Sequence, residues 1–145
     1  MIHLVRAAQH NRSALSWLTS FHHFSFDQYY DPQNMSWGKL RVFNEDFISP
    51  ASGFPLHPHR DMEIITYVLS GELMHEDSLG NKGVVRAGEI QYMSAGTGVL
   101  HAEFNASKTN PLHMVRMWCL AEKVRLEQVW ALAAFLHEEK MNQLL

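Results

Sequence analysis

Short runs of β-branched and aromatic residues, separated by glycine, proline and asparagine, recur along most of this 145-residue chain. The run 63–69, Glu-Ile-Ile-Thr-Tyr-Val-Leu, predicts a well-buried strand, and 112–120 predicts another. Runs 72–77 and 83–86 flank a segment, 78–81, whose glycine and asparagine accept the positive φ angles of a tight hairpin. Many short strands at regular spacing indicate an antiparallel sandwich or barrel rather than βαβ units.

The pattern changes after the last of these runs. From Glu122 to Leu145 there is no glycine or proline, and apolar residues recur at helical spacing. We therefore predict a β-barrel domain over residues 1–121 and one amphipathic helix over 122–145. The helix is expected to pack on the barrel or, because its apolar stripe includes Trp130, to contact a second copy in a homodimer. A short helix capped by Ser13 is also predicted near the N-terminus.

Composition narrows the class of protein. With 46% hydrophobic and 19% charged residues, the chain can bury the core of one globular domain. Its net charge of −3 and scattered lysines and arginines argue against direct nucleic-acid binding. The lone Cys119 allows no intramolecular disulfide, which suits a reducing compartment, and no apolar run reaches the length of a signal or membrane span. We expect a cytoplasmic protein without a membrane partner.

Two pairs of metal-binding residue types stand at i and i+2: His57 with His59, and His101 with Glu103. Successive side chains of a strand alternate between faces, so each pair shares one face. Two such strands facing the inside of a barrel supply three imidazoles and one carboxylate, which predicts a mononuclear metal site. The other histidines lack a paired partner and are expected to be structural or solvent-exposed: His3, His10, His22, His23, His75, His113 and His137.

Glu63 competes with Glu103 as the carboxylate ligand, because it follows the paired histidines with the same strand parity. Four residues of extended chain beyond His59 span about 13 Å at about 3.3 Å per residue, so only a bend could return Glu63 to the site. Glu103 needs no bend. We predict Glu103 as the ligand and Glu63 at most as an acceptor for a histidine ring N–H.

Three imidazoles and a carboxylate suit Fe(II), Cu, Ni, Mn, Co or Zn, and the lack of thiolates argues against a closed structural zinc site. Four protein ligands leave about two octahedral positions for water, dioxygen or a chelating substrate. Glu103 is also the candidate catalytic base, because a carboxylate beside a bound hydroxyl can take its proton. Phe47 and Phe54, with Met62 and Met93 as further candidates, are expected to hold planar substrate rings.

Several segments resemble the pirin family of cupins, in the order in which that family has them, from about Phe24 to Trp118. The clearest is Gly53-Phe-Pro-Leu-His-Pro-His-Arg-Asp-Met-Glu-Ile-Ile-Thr-Tyr-Val-Leu-Ser-Gly71. The others are Trp37-Gly-Lys-Leu-Arg-Val-Phe-Asn-Glu-Asp46, His75-Glu-Asp-Ser-Leu-Gly-Asn81 and Gln91-Tyr-Met-Ser-Ala-Gly-Thr-Gly-Val-Leu-His-Ala-Glu-Phe-Asn105.

The resemblance implies an all-β cupin fold, a jelly-roll barrel of the double-stranded β-helix type. It implies Fe(II) bound at the positions that correspond here to His57, His59, His101 and Glu103. Bacterial pirins of this kind are described as quercetin 2,3-dioxygenase-like. The implied function is a metal-dependent dioxygenase that cleaves a flavonol such as quercetin with dioxygen and releases carbon monoxide.

One departure keeps other functions open. Pirins have two tandem cupin barrels, whereas 145 residues suffice for one barrel and a helix, so the second barrel is expected to be missing. The alternative functions are a metal-binding or redox-sensing interaction protein of the transcription-coregulator type, and a truncated remnant without activity. Turnover of a flavonol separates catalysis from both alternatives.

Overall fold

The computed structural model describes residues 4–134, which form two antiparallel β-sheets and a turn of 3-10 helix at Ala7–Gln9. The strands are β1 (Asn11–Ala14), β2 (Leu18–His22), β3 (Leu40–Ile48), β4 (Gly53–His59), β5 (Met62–Ser70), β6 (Glu72–Asp77), β7 (Lys82–Arg86), β8 (Glu89–Ser94), β9 (Val99–Asn105), β10 (Leu112–Leu120) and β11 (Val129–Ala134). Within this part of the chain, no helix has the length and apolar character needed to cross a membrane.

The two sheets have the orders β1-β2-β3-β10-β5-β8-β11 and β4-β9-β6-β7. Burial alternates along strands such as β2, β3 and β5, as expected where one face of a sheet packs inward. The antiparallel all-β arrangement predicted from the strand pattern is confirmed, and it agrees with the cupin fold that the resemblance implies. In the four-stranded sheet, β9 lies between β4 and β6. The two strands that carry the predicted metal ligands, β4 and β9, are therefore neighbours.

Apolar side chains pack in two clusters. The larger one contains Leu18, Ile48, Val68, Leu73, Val85, Leu112 and Met114. The smaller one contains Ile64, Met93, Ala95 and Val99, with Met62, Trp118 and Trp130 packed against it. Polar side chains are buried as well, including His75, Gln91, His101 and Glu103. Buried polar groups require partners, so this interior must contain a hydrogen-bonded or ligand-binding arrangement.

The predicted C-terminal helix is wrong in its described part, since Val129–Ala134 is strand β11. This strand pairs antiparallel with β8 and extends the seven-stranded sheet. Because side chains alternate along this strand, Trp130 points toward Gly83 of the other sheet. The edge of β8 provides the backbone hydrogen bonds for the strand. Tertiary pairing thus overrides the helical pattern. Residues 135–145 of the predicted helix lie outside the described residues, and the homodimer stays a prediction.

The short helix predicted from Ser13 is also wrong. The segment forms the hairpin of β1 and β2 instead, with Ser13 opposite Ser20. Alternate residues of β2 are buried, and the Ser13 hydroxyl lies 2.9 Å from Nε2 of the buried His22. The Ser13 side chain therefore serves a cross-strand contact rather than a helix cap.

Candidate metal centre

Strand register brings the candidate donors onto one face of the four-stranded sheet. On one side of β9, His57 of β4 lies opposite His101. On the other side, Asp77 of β6 lies opposite His101, and His75 lies opposite Glu103. Side chains directly opposite each other on neighbouring strands share a face. The central strand thus carries two donors, and both of its neighbours add imidazoles to the same face.

A bulge in β4 adjusts this register. Phe54 lies opposite Glu103 and His57 lies opposite His101, so three steps on β4 match two steps on β9. The extra residue lets Phe54 and His57 share a face despite their odd spacing. At the same place a Cβ on Gly53 would overlap the backbone carbonyl oxygen of Glu103. Glycine therefore permits the close approach of the two strands beside the site.

His57, His59 and His101 form the first donor group, in which one ligand nitrogen from each residue lies within 4.8 Å of the others. Nε2 of His57 and Nε2 of His101 are 2.9 Å apart. The rings of His59 and His101 have their centroids 4.8 Å apart. Nitrogens at these separations can surround one ion, because metal–imidazole bonds are about 2.0–2.1 Å long.

The tautomer of His57 suits ligation. Its Nδ1 lies 2.7 Å from the carbonyl oxygen of Pro55, which can only accept a hydrogen bond. Nδ1 therefore carries the proton, and Nε2 presents its lone pair toward His101. Nε2 of His59 is buried and has no hydrogen-bond partner among residues 4–134. A buried nitrogen without a partner is the kind of atom that a metal ion satisfies.

Burial also keeps two of the rings neutral. Desolvation, followed by the neighbouring His101 and His57, lowers the pKa of His59 to about 3. Desolvation, followed by His57 and His75, lowers the pKa of His101 to about 3. Both imidazoles are uncharged at neutral pH, so protons compete weakly with a metal ion for their nitrogens.

Glu103 belongs to a second donor group, with His75 and His101, in which one ligand atom from each residue also lies within 4.8 Å of the others. All three residues are buried. The predicted ligands are therefore placed in two groups that share His101, and Glu103 is not part of the three-imidazole group. Two imidazoles and one carboxylate make a donor set of the kind found in non-haem iron sites.

The sequence predicts a structural or solvent-exposed His75, and the structure places it beside the site, fully buried. Its Nε2 lies 3.4 Å from a carboxylate oxygen of Asp77. The sequence held a signal for this position, because His75 and Asp77 have the same i, i+2 spacing as the two recognised pairs. Only the register of β6 on β9 shows that this pair faces His101 and Glu103.

The competing carboxylate, Glu63, accepts hydrogen bonds from hydroxyl groups. The Tyr92 hydroxyl donates to its Oε2 at 2.5 Å, and the Ser94 hydroxyl donates to its Oε1 at 3.0 Å. The Tyr92 hydrogen bond to Glu63 is the main cause that raises the pKa of Tyr92. Among residues 4–134, Glu63 belongs to neither donor group. Both of these hydrogen bonds come from hydroxyl groups rather than from a histidine ring.

Two aromatic side chains border the three-imidazole group. The Phe54 ring lies 6.3 Å from that of His57, and the Trp118 ring lies 4.8 Å from that of His59. The Phe26 ring in turn makes an edge contact with Trp118 at 5.3 Å. The sequence predicts the role of Phe54 but not that of Trp118 or Phe26, whose proximity to the site depends on the fold.

The other candidates for holding a substrate lie elsewhere. Phe47 stacks on His113 with centroids 4.1 Å apart, Met93 is buried in the smaller apolar cluster, and Met62 packs against that cluster. A buried cation lies over Phe54: the Arg116 guanidinium is 4.2 Å from the centre of the Phe54 ring. Arg116 is buried and donates to Asp46 at 2.7 Å. Its positive charge contributes to the low pKa values of the nearby imidazoles.

Comparison with known proteins gives a consistent family. The family model described as Pirin matches residues 4–119. A protein of Escherichia coli (strain K12) named quercetin 2,3-dioxygenase is 50% identical over 123 residues, which are 85% of this chain and 53% of that protein. A pirin-like protein of Caulobacter vibrioides is 53% identical over 114 residues, covering 79% of this chain and 44% of that protein.

The fold agrees with that of a solved relative. The crystal structure of the bacterial pirin YhhW from Escherichia coli in complex with nickel(II) superposes with a TM-score of 0.91 at 46% identity. The match covers 94% of this chain and 59% of that one. The chain thus spans about half the length of the relatives that it matches. With a family match over most of its length and this level of identity, the chain belongs to the pirin family of cupin proteins.

Proposed function

We propose that the barrel binds one divalent metal ion through His57, His59, His101 and Glu103. The observation that carries this proposal is the convergence of three imidazole nitrogens within 4.8 Å of one another, two of them on rings that burial keeps neutral. Glu103, buried beside His101, is the carboxylate of the set. The nickel(II) complex of the Escherichia coli pirin adds support from a relative.

Fe(II) is the ion that we propose for the working protein. The same donors also accept Cu, Ni, Mn, Co and Zn, and affinity alone favours copper or nickel in vitro. The metal found in a recombinant sample therefore depends on how it was loaded. Activity must be compared after removing the bound metal and reloading each ion separately.

We propose further that the loaded protein is a dioxygenase that opens the ring of a flavonol such as quercetin with dioxygen and releases carbon monoxide. A divalent ion bound here would supply Lewis-acid chemistry. Glu103 would accept the proton of the substrate hydroxyl once it loosens from the metal, as a carboxylate within hydrogen-bond reach can do. Phe54 and Trp118 would contact the planar rings. The name of the Escherichia coli relative supports this substrate class.

The test is quercetin turnover by metal-free protein and by protein reloaded with Fe(II), Cu, Ni, Mn or Co. Loss of flavonol absorbance should accompany oxygen uptake and carbon monoxide release, and only in the metal-loaded samples. His101→Ala protein, treated identically, is the control for metal that is bound nonspecifically. A folded protein with stoichiometric metal and no turnover at any loading would contradict the dioxygenase proposal.

A second candidate is a metal-binding or redox-sensing interaction protein, as in a transcription coregulator. The observation that favours it is the partial exposure of His57 and His59, which would place a bound ion near the surface that a partner contacts. Protease digestion of the oxidised and reduced iron forms should then give different patterns. Identical digestion of both forms, without turnover, would leave the inactive remnant as the remaining interpretation.

A further inference from the structure

Two hydrogen bonds connect strand β11 to the carboxylate of Glu103. The indole Nε1 of Trp130 donates to Oε1 of Gln91 at 3.1 Å. Nε2 of Gln91 donates to Oε1 of Glu103 at 2.7 Å. We propose that Gln91 and Trp130 are positioning residues that fix the orientation of the Glu103 carboxylate as a metal ligand. This inference rests on the metal centre proposed above.

The direction of both hydrogen bonds follows from the indole. An indole N–H only donates, so Gln91 must present its carbonyl oxygen to Trp130. The amide NH₂ then faces Glu103, which accepts when it is ionised. A reversed amide would place its oxygen 2.7 Å from a carboxylate oxygen, and two acceptors in contact repel each other. Trp130 therefore selects the one amide orientation that supports Glu103.

The Trp130 ring is itself held in place. It stacks on the His75 ring, with centroids 5.1 Å apart and planes inclined by 13°. It also lies against β7 where a Cβ on Gly83 would come within 2.6 Å of the indole Cη2. Backbone pairing of β11 with β8 fixes the strand that carries it. The indole N–H thus has little freedom to leave Gln91.

Gln91 donates to Oε1 of Glu103, and we infer that Oε2 would be the oxygen presented to an ion. Gln91 and Glu103 are 0% and 1% exposed, so water does not readily replace the amide. Hydrogen bonds to ligating groups of this kind typically change metal affinity about 10–100-fold when removed. Trp130 lies beyond residue 119, where the match to the family model ends.

The experiment is a double-mutant cycle read out as metal affinity. Gln91→Met, Trp130→Phe and the double variant are titrated with Co(II) and Zn(II) against a competing chelator. Trp130→Phe keeps an aromatic ring beside His75 and removes the N–H, so affinity should fall about tenfold. Gln91→Met should weaken binding at least as much. If Trp130 acts through Gln91, the double variant should be no weaker than Gln91→Met alone.

Two controls separate positioning from folding. Trp37→Phe makes the same change at a side chain that is 70% exposed, and should leave metal affinity unchanged. Thermal unfolding of the metal-free variants reports any loss of structure, and the visible spectrum of bound Co(II) should change in Trp130→Phe. Independent, additive effects of the two substitutions on metal affinity would overturn this inference but not the proposed metal centre. Unchanged affinity in a folded Trp130→Phe protein would do the same. A wild-type protein that binds no metal would overturn the proposed centre and, with it, this inference.

Discussion

Strands β4 and β9 each carry two metal-binding residue types two positions apart, and their surroundings differ. β4 is the edge of the four-stranded sheet, and both of its histidines are partly exposed. β9 lies inside that sheet, and both of its donors are buried. The β4 pair is oriented locally, by a bulge and a carbonyl oxygen. The β9 pair is contacted by His75 of β6 and by Gln91 of β8, and Gln91 in turn accepts a hydrogen bond from Trp130 of β11.

The comparison suggests a division of roles. The partly exposed histidines of the edge strand would give solvent and substrate access to an ion bound there. The buried donors of the central strand would fix the position of that ion, because burial and hydrogen bonds restrict their rotamers.

Removing the shared imidazole should have the largest effect. His101 belongs to both donor groups, so His101→Ala should lose all specifically bound metal. His57→Ala removes a donor from one group only and should retain weak, exchangeable metal. Elemental analysis after dialysis against a weak chelator compares the two. Full stoichiometric metal in His101→Ala would refute the central role of β9.

Gly53→Ala tests the close approach of the two strands. A Cβ there meets the backbone of β9 at Glu103 and Phe104, which cannot move aside without separating the strands. We expect a loss of about 1–3 kcal/mol in the free energy of unfolding, together with weaker metal binding. Gly80→Ala is the control, because its Cβ would meet no atom within 4 Å and it adds only backbone strain. Equal losses in the two variants by urea unfolding would contradict the steric explanation.

Acidification should destabilise the metal-free protein. The pKa of His59 on β4 and that of His101 on β9 are each lowered to about 3 in the folded state, against about 6.5 when unfolded. Between these values the unfolded chain binds more protons, so the free energy of unfolding falls as the pH drops from about 6.5 toward 3. Urea unfolding at several pH values measures this. His59→Asn and His101→Asn should each flatten the dependence, and an unchanged slope in both would contradict it.

The smallest effect is expected at the competing carboxylate. Glu63→Gln should leave metal content and affinity unchanged, because Glu63 bonds to Tyr92 and Ser94 and lies outside both donor groups of the described residues. The same change in Glu103 should weaken binding clearly, since an amide is a poorer ligand than a carboxylate. Loss of metal from Glu63→Gln alone would reverse the choice between the two carboxylates.

The C-terminal segment shows where the sequence pattern was ambiguous. Trp130 and its neighbours have apolar residues at spacings that fit a helix of period 3.6 and a strand of period two. The strand forms because β8 provides an unpaired edge and Gly83 leaves room for the indole. Neither feature is local to the segment, so no pattern within it could reveal the strand.

The sequence by itself determined the all-β class and the parity of each donor pair, because both depend on the alternation of side chains along a strand. The tertiary structure decided how the pairs meet. The bulge between Phe54 and His57 sets one register, and the pairing of β6 with β9 brings His75 to Glu103. The hydrogen bonds from Trp130 through Gln91 depend on a third pairing. These contacts join residues far apart in the chain, and local propensity carries no information about them.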